Sequence, residues 1–341
     1  MEFEGLSVRA RANDSAAVDA FVHKWSSITP GEHKRVCNLP QHHPDLSTNQ
    51  EWLDARKFRF TGSTAGAACH QNPYSSIEQF IFDKVNQTPM DERGKQYCAY
   101  GTLHEDDAED AFGQQLDAIK GKPNKKGWTL LSWRAQHLGL YVCKAPGYGM
   151  LGMSPDGILH TSWQSPEGGV LKLTELIEYK CPATWEKKRH NPNIYKQELV
   201  PKLVPTRFRE NLLARGEITA DGLPLCEGRH RLACPPYYYA QVQYGMQLFK
   251  MSGVDLPRAH FVVWCPERTS HIKIERDDTF GKWLIRMLVD VYRHQYAPAI
   301  VRQLRGGDRA AKREEAKKQQ TPENDPALEF SGFSLKRRKV N

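Results

Sequence analysis

From residue 52 to about residue 296, short apolar runs with strand-like alternation are interleaved with stretches of helical periodicity, the pattern of a mixed α/β domain. Val170 to Lys180, VLKLTELIEYK, alternates as a strand. Phe261 to Trp264 and His271 to Glu275 read as a hairpin around Pro266-Glu267-Arg268. Tyr237 to Met251 and Phe280 to Tyr292 have the length and period of helices packed on a sheet. Gly101 to Gln115 reads as one helix, because Leu103, Ala108, Ala111 and Phe112 recur at helical spacing while Asp106, Asp107 and Asp110 take the wet side. Glu105 shares a face with Ala108 and Phe112, so its carboxylate should point inward.

The pattern fades at both ends. Residues 1–50 mix charge, proline and paired histidines without sustained periodicity and read as an irregular or partly helical arm. Residues 298–341 are charged, Gln-rich and poor in large apolar side chains, the composition of a disordered basic tail. Between them a domain over 51–297 is long enough to bury a sizeable core. No run approaches the ~18 to 20 apolar residues of a membrane helix, and the opening residues lack the apolar stretch of a signal peptide, so a soluble, intracellular chain with no membrane partner is expected. The eight cysteines are scattered singly, without the paired spacing of a zinc site, and read as reduced thiols. The net charge of +8 suggests a polyanionic partner. Residues 301–341 hold eleven Lys or Arg against six Asp or Glu, however, so the tail supplies +5 of it. Nucleic-acid binding must therefore be argued from a site.

One constellation offers such a site. Ser154-Pro155-Asp156-Gly157 is followed, 22 residues after the aspartate, by Glu178-Tyr179-Lys180 near the end of a strand. Positions two apart on a strand face the same way, so Glu178 and Lys180 project into one space that Asp156 can reach if the segments are adjacent. Two carboxylates that close repel unless a cation lies between them, and hard oxygen ligands suit Mg²⁺, with Mn²⁺ as a substitute. A divalent ion there polarises a phosphoryl oxygen and lowers the pKa of water for in-line attack on phosphorus. Lys180 would orient that water or offset charge in the transition state. Glu105 is a natural third carboxylate, to complete the metal shell or accept a proton. Alone, an Asp and an E-x-K at this loose spacing is a weak signal, since surface strands carry many Glu and Lys.

The order of the surrounding motifs strengthens it. Arg59-Phe60-Thr61-Gly62-Ser63, Gly101-Thr102-Leu103-His104-Glu105, Ser154-Pro155-Asp156-Gly157, Glu178-Tyr179-Lys180-Cys181-Pro182 and Tyr239-Ala240-Gln241-Val242-Gln243-Tyr244 occur in sequence. Together they resemble the phage lambda exonuclease and YqaJ-type viral recombinase family, a branch of the PD-(D/E)XK nucleases. The resemblance implies a restriction-endonuclease-like α/β core with a central mixed sheet flanked by helices, and a Mg²⁺-dependent 5′-to-3′ exonuclease that resects double-stranded DNA ends to leave 3′ single strands for recombination or repair. It assigns Arg59, Ser63 and Ser154 to a pocket for the terminal 5′-phosphate, Gln241 to a place beside the scissile phosphate, and the Tyr179 backbone carbonyl to the metal. Ser63-Thr64 ahead of Ala65 could also open a helix whose free N–H groups favour an anion.

The chain departs from the family in the sixty residues between Lys180 and Gln241, an insertion at about 190–235 that includes Arg207, Arg209, Arg229, His230 and Arg231. The insertion and the two tails leave a trimeric ring and a monomer both open, and a single-strand annealing protein is the partner that resection would serve. Two other readings remain: a structure-specific or restriction-like endonuclease of the same superfamily, and a DNA-binding recombination accessory with a silent site. The presence of Asp156, Glu178 and Lys180 together argues against the last. Grouped cysteines for an iron–sulfur cluster are missing after the site.

Smaller features have plain readings beside sharp ones. His42-His43 with Cys37 lacks a second ligand pair and reads as a solvated loop. Tyr237-Tyr238-Tyr239 reads as helix packing first, base stacking second. Lys336-Arg337-Arg338-Lys339 is compact and terminal and reads as a nuclear-import signal ahead of non-specific DNA affinity.

Overall fold

The computed structural model of the protein describes residues 12–42, 49–72, 74–183, 236–266 and 268–306. Its centre is a five-stranded sheet of β1 (Thr129–Gln136), β4 (Gly157–Gln164), β5 (Val170–Lys180), β6 (Arg258–Cys265) and β7 (Arg268–Glu275), in the order β1-β4-β5-β6-β7. β2 (Tyr141–Val142) and β3 (Gly152–Met153) pair as a separate ribbon. β5 and β6 run parallel, with Glu178 opposite Phe261 and Lys180 opposite Val263, and the other three pairs are antiparallel. A parallel pair needs a crossover, and α8 (Pro236–Met251) is its described part.

The strand predicted at Val170–Lys180 forms with those bounds, and the predicted hairpin is β6 and β7, closed with Cys265 opposite Arg268. Alternation sorts β5 between two cores. Leu176 packs with Tyr244, Phe261 and Phe280 on the α8 side, while Ile177 and Tyr179 pack with Ala108 and Phe112 on the other. The layers covering the sheet are thus α8, α9 (Asp278–Val291) and α4 (Gly62–Ala68) on one face and α7 (Glu105–Ile119) on the other. This is the mixed sheet flanked by helices that the sequence predicts.

Two elements differ from expectation. The helix expected from Gly101 through Gln115 breaks at His104, which ends α6 (Glu92–Leu103) and begins α7. The reason lies in what His104 touches: its ring stacks on Trp264 at 4.8 Å, its Nδ1 pairs with Asp107 at 2.6 Å, and its carbonyl accepts from Cys181 Sγ at 3.2 Å. The N-terminal arm contains α1 (Ala12–Trp25) and α2 (Pro30–Cys37), and α1 is stitched to the domain by Phe21 and Trp25, whose rings meet Phe58 at 5.7 and 5.2 Å. α3 (Gln50–Arg56) and α5 (Ile77–Asn86) complete the described helices used below. Cys37, Cys69, Cys98, Cys143, Cys181 and Cys265 are free thiols. Among the described residues no helix is long and apolar enough to cross a membrane. The insertion at 190–235, the tail from residue 307 and the Lys336–Lys339 cluster lie outside the described residues.

Close approach of α4 to α8 depends on one glycine. A Cβ on Gly66 would lie 2.9 Å from Tyr237 Cβ and 3.1 Å from its Cα, and main chain cannot move aside cheaply. Gly66→Ala should therefore lower stability by about 1–3 kcal/mol, read as a drop of several degrees in the thermal unfolding midpoint; an unchanged midpoint would show that the two helices are not held this tightly.

Candidate active site

Strand register builds the acidic half of the site. Gly157 pairs with Ile177, which places Asp156, just ahead of β4, against the end of β5. There the Tyr179 N–H donates to Asp156 Oδ2 at 2.6 Å. The turn is braced from outside: Gln41 Nε2 donates to the Pro155 carbonyl at 3.2 Å, and His137 contacts the Asp156 carbonyl through Nδ1 and Glu109 through Nε2, each at 3.2 Å. The Glu109 carboxylate raises the pKa of His137, favouring the imidazolium that donates at both nitrogens.

Glu178 and Lys180 share the α8 face of β5, as their spacing predicts. Lys180 Nζ donates to Glu178 Oε1 and, at 3.0 Å, to the Tyr179 carbonyl. Gln241 Nε2, from α8, donates to the same Glu178 oxygen. Glu178 is 1% exposed, and its other oxygen, Oε2, is buried with no hydrogen-bond partner. Glu105 enters from the first residue of α7, held near the end of β5 by the bond from Cys181 to His104. A cleft of about 380 Å³ opens on Glu105, Asp156 and Tyr179 and is walled by Glu109 and His137.

Electrostatics ties these groups together. Burial pushes Glu178 up to about 8 and Glu105 up to about 7, and in each the charge of Asp156 adds to the rise. Burial also raises Asp156, opposed by Lys180 and by the Tyr179 N–H. Burial alone would lower Lys180, but Glu178 and Asp156 hold it well above its ordinary range. Three carboxylates thus face one ammonium, an excess of negative charge in a poorly hydrated place.

Among the described residues no three His, Cys, Asp or Glu side chains are already drawn together as a ligand set. What converges is a smaller donor set, and it fits a hard divalent cation: Glu178 Oε2 lacks a partner, Asp156 keeps Oδ1 after Oδ2 is engaged, and the Tyr179 carbonyl lies alongside. Glu105 is the nearby carboxylate that would complete it.

The residues assigned to a phosphate pocket divide. Ser154 Oγ accepts from Trp52 Nε1 at 2.9 Å and from Arg56 at 3.3 Å; Arg56 also reaches Thr61 Oγ1 at 3.4 Å, which lies 3.4 Å from Ser63 Oγ. Ser63 and Ser154 therefore belong to one polar pocket. Arg59 does not join it. The residue is 5% exposed, and its guanidinium donates to the carbonyls of Gly149 and Ala55 and stacks on Trp25 at 4.7 Å. The cation of the pocket is Arg56, which lies over the Trp52 ring at 3.9 Å. Nearby Lys84, on α5, adds a second: burial lowers it to about 8 and the Arg56 charge contributes, while burial lowers Arg56 to about 10. Among the described residues no carboxylate pairs with either. The helix behind Ser63 opens earlier than expected, with Thr61 as its first flanking residue and Thr64 Oγ1 accepting from the Thr61 N–H at 2.9 Å.

Residues 51–213 match the family described as the YqaJ-like viral recombinase domain, so the resemblance read from the motifs holds. The matched stretch contains four of the five motifs and stops before Tyr239–Tyr244. Among solved structures the chain is similar to the crystal structure of LHK-Exo in complex with dAMP, at 18% identity over 79% of this chain and 99% of that one, with a TM-score of 0.38. It is also similar to the crystal structure of SSO0001, at 11% identity over 72% and 86%, with a TM-score of 0.28. No curated protein matches the chain. The family match supports a nuclease or recombinase role.

A carboxyl raised in the folded state binds its proton there and loses it on unfolding, so its contribution to stability is present below its unfolded pKa and is lost as pH rises toward the folded value. For Glu178 that window runs from 4.5 to about 8. Glu178→Gln should consequently raise the melting temperature of the cation-free protein above pH 8 and remove most of the stabilisation that added Mg²⁺ gives the unaltered chain. Equal Mg²⁺-induced shifts in the two proteins would place the ion elsewhere.

Proposed function

We propose that the chain, with a YqaJ-like domain over residues 51–213, is a Mg²⁺-dependent 5′-to-3′ exonuclease that degrades one strand of duplex DNA from its end. The observation that carries this reading is the buried surplus of carboxylate around Lys180, together with a separate cationic pocket that holds Ser154, two residues before Asp156. One site repels anions until a cation arrives, and the other attracts them.

A bound Mg²⁺ or Mn²⁺ would supply Lewis acidity toward the scissile phosphate and an acidified water. Asp156 Oδ1, Glu178 Oε2 and the Tyr179 carbonyl would hold it, with Glu105 completing the set. Lys180 Nζ is positioned by Glu178 and by the Tyr179 carbonyl to orient the attacking water or to offset charge on the phosphorane-like transition state. Gln241, fixed on Glu178 Oε1, keeps that carboxylate turned and would stand beside the scissile phosphate. Glu105, with its pKa near neutrality, suits the role of proton acceptor from the water. Arg56, Lys84, Ser63 and Ser154 would grip the terminal 5′-phosphate, with Arg56 replacing Arg59 as the charged clamp. Duplex DNA ends are the substrate of this arrangement. A single-strand annealing protein, a trimeric assembly and nuclear import through Lys336–Lys339 are further parts of the reading.

Asp156→Ala and Lys180→Ala should each abolish Mg²⁺-dependent digestion of linear duplex while leaving the circular dichroism spectrum unchanged; normal digestion by either variant would refute the assignment. Closed-circular duplex should survive, whereas nicking of circles would favour an endonuclease. Arg56→Ala should cut the preference for 5′-phosphorylated over 5′-hydroxyl ends by about tenfold or more, the scale of a lost charge-assisted contact. Arg59→Ala should instead lower the melting temperature, because it strips two buried carbonyls of their donor. Lys84 loses its charge above about pH 8 in the unliganded pocket, so the end preference should fall as pH rises past that value, and less steeply in Lys84→Arg.

A further inference from the structure

A row of tyrosines leads from the surface to Lys180. Tyr238 lies under the ammonium, with Lys180 Nζ 5.2 Å from its ring centre. Its ring lies 4.3 Å from that of Tyr237, and Tyr237 meets Tyr74 edge-on at 5.9 Å and 72°. Tyr74, between α4 and α5, is 82% exposed, the most exposed large hydrophobic side chain among the described residues. A scattered surface aromatic needs no explanation, but an aromatic joined ring by ring to a half-buried lysine is a different object.

The row is also held in place. Tyr237 is pressed against Gly66 of α4, the helix whose opening residues include Ser63 of the cationic pocket. The loop carrying Tyr74 is fixed by Gln71 and Asn72 N–H groups donating to the Gly66 carbonyl at 2.7 and 3.0 Å, and by the Tyr74 N–H donating to Asn72 Oδ1 at 2.8 Å. The same glycine therefore anchors both the middle and the outer end of the row. Tyr239 is not part of it: that ring is buried against Phe280, as helix packing requires.

From this juxtaposition we propose that Tyr74, Tyr237 and Tyr238 form a stacking track for unpaired bases of a DNA strand lying across the Lys180 site. Tyrosine faces accept any base, and their two-angle side chains lose little freedom on binding, so the track would grip a strand without reading its sequence. It supplies affinity for bases, whereas the Arg56 pocket supplies affinity for a terminal phosphate. The inference rests on the nuclease reading for the identity of the polymer and adds single-stranded DNA as the form bound there.

The test is fluorescence anisotropy with 5′-phosphorylated oligothymidylate in EDTA, where no cleavage occurs, on full-length protein whose melting temperature is checked for each variant. Tyr74→Ala should weaken binding by about 5- to 150-fold, the range for loss of one base–aromatic stack. Tyr74→Phe should restore it to within about twofold, and Tyr74→Leu should not, since stacking needs a π face. With an oligonucleotide abasic throughout, Tyr74→Ala and unaltered protein should bind alike. The track is overturned if Tyr74→Ala binds oligothymidylate as tightly as unaltered protein, if it weakens the abasic strand equally, or if Leu serves as well as Phe. It is likewise overturned if Tyr74→Ala changes the oligomeric state and leaves strand binding intact, which would make Tyr74 a protein contact. Because binding is read without metal or hydrolysis, failure of the track and failure of the exonuclease reading give separate results.

Discussion

Everything near β5 answers to one electrostatic constraint: more carboxylate is buried beside Lys180 than a single ammonium can neutralise. Asp156, Glu178 and Glu105 arrive from three elements; the Asp156 charge makes both glutamates harder to ionise, and Glu105 adds to the rise at Glu178. Left without a cation, the cluster has one internal remedy, which is to hold protons at the pH where ordinary carboxyls are charged. A fold tolerates that cost only if the surrounding structure is firm. Here the firmness comes from strand register, from the Tyr179 N–H on Asp156, and from the Gln41 and His137 braces on the turn. The site is thus a locally destabilised patch carried by a well-packed sheet.

The cationic pocket is built on the opposite principle. Arg56 and Lys84 are both partly withdrawn from water and pushed toward neutrality, and Arg56 meets the hydroxyls of Thr61 and Ser154 in place of counter-charge. Surface cations normally sit in water or beside carboxylates, so two without either make an anion a welcome neighbour. Trp52 does double duty, offering Arg56 its face and Ser154 its N–H, and so fixes the distance between α3 and the Asp156 turn.

How much of this the chain discloses before folding depends on the range of the contact. Val170–Lys180 was legible because period-two alternation and the E-x-K face follow from local geometry, and α8 and the β6–β7 hairpin were legible for the same reason. Asp156 could be paired with Glu178 only through an ordered set of motifs, since nothing local says that Gly157 lies opposite Ile177. Arg59 was misplaced because it adjoins Thr61-Gly62-Ser63 in sequence, whereas the turn after α3 sends its guanidinium inward to Gly149. One local signal did point to Arg56: Trp52 stands four residues earlier, at the spacing that puts a ring under a helical cation. Lys84 and His137 carry no such mark, because a lysine on an amphipathic helix and a histidine after a strand are commonplace.

The break at His104 has an effect on how the domain breathes. α7 is fastened to the sheet by Ala108, Phe112 and Leu116, while α6 has no buried residue of its own. Separate helices with unequal anchorage do not melt together: amide protons of α6 can exchange through openings that leave α7 closed. Since Glu105 is the first residue beyond the joint, the acidic cluster borders that looser helix, and the imidazole between them packs on Tyr100 of α6 as well as on Trp264.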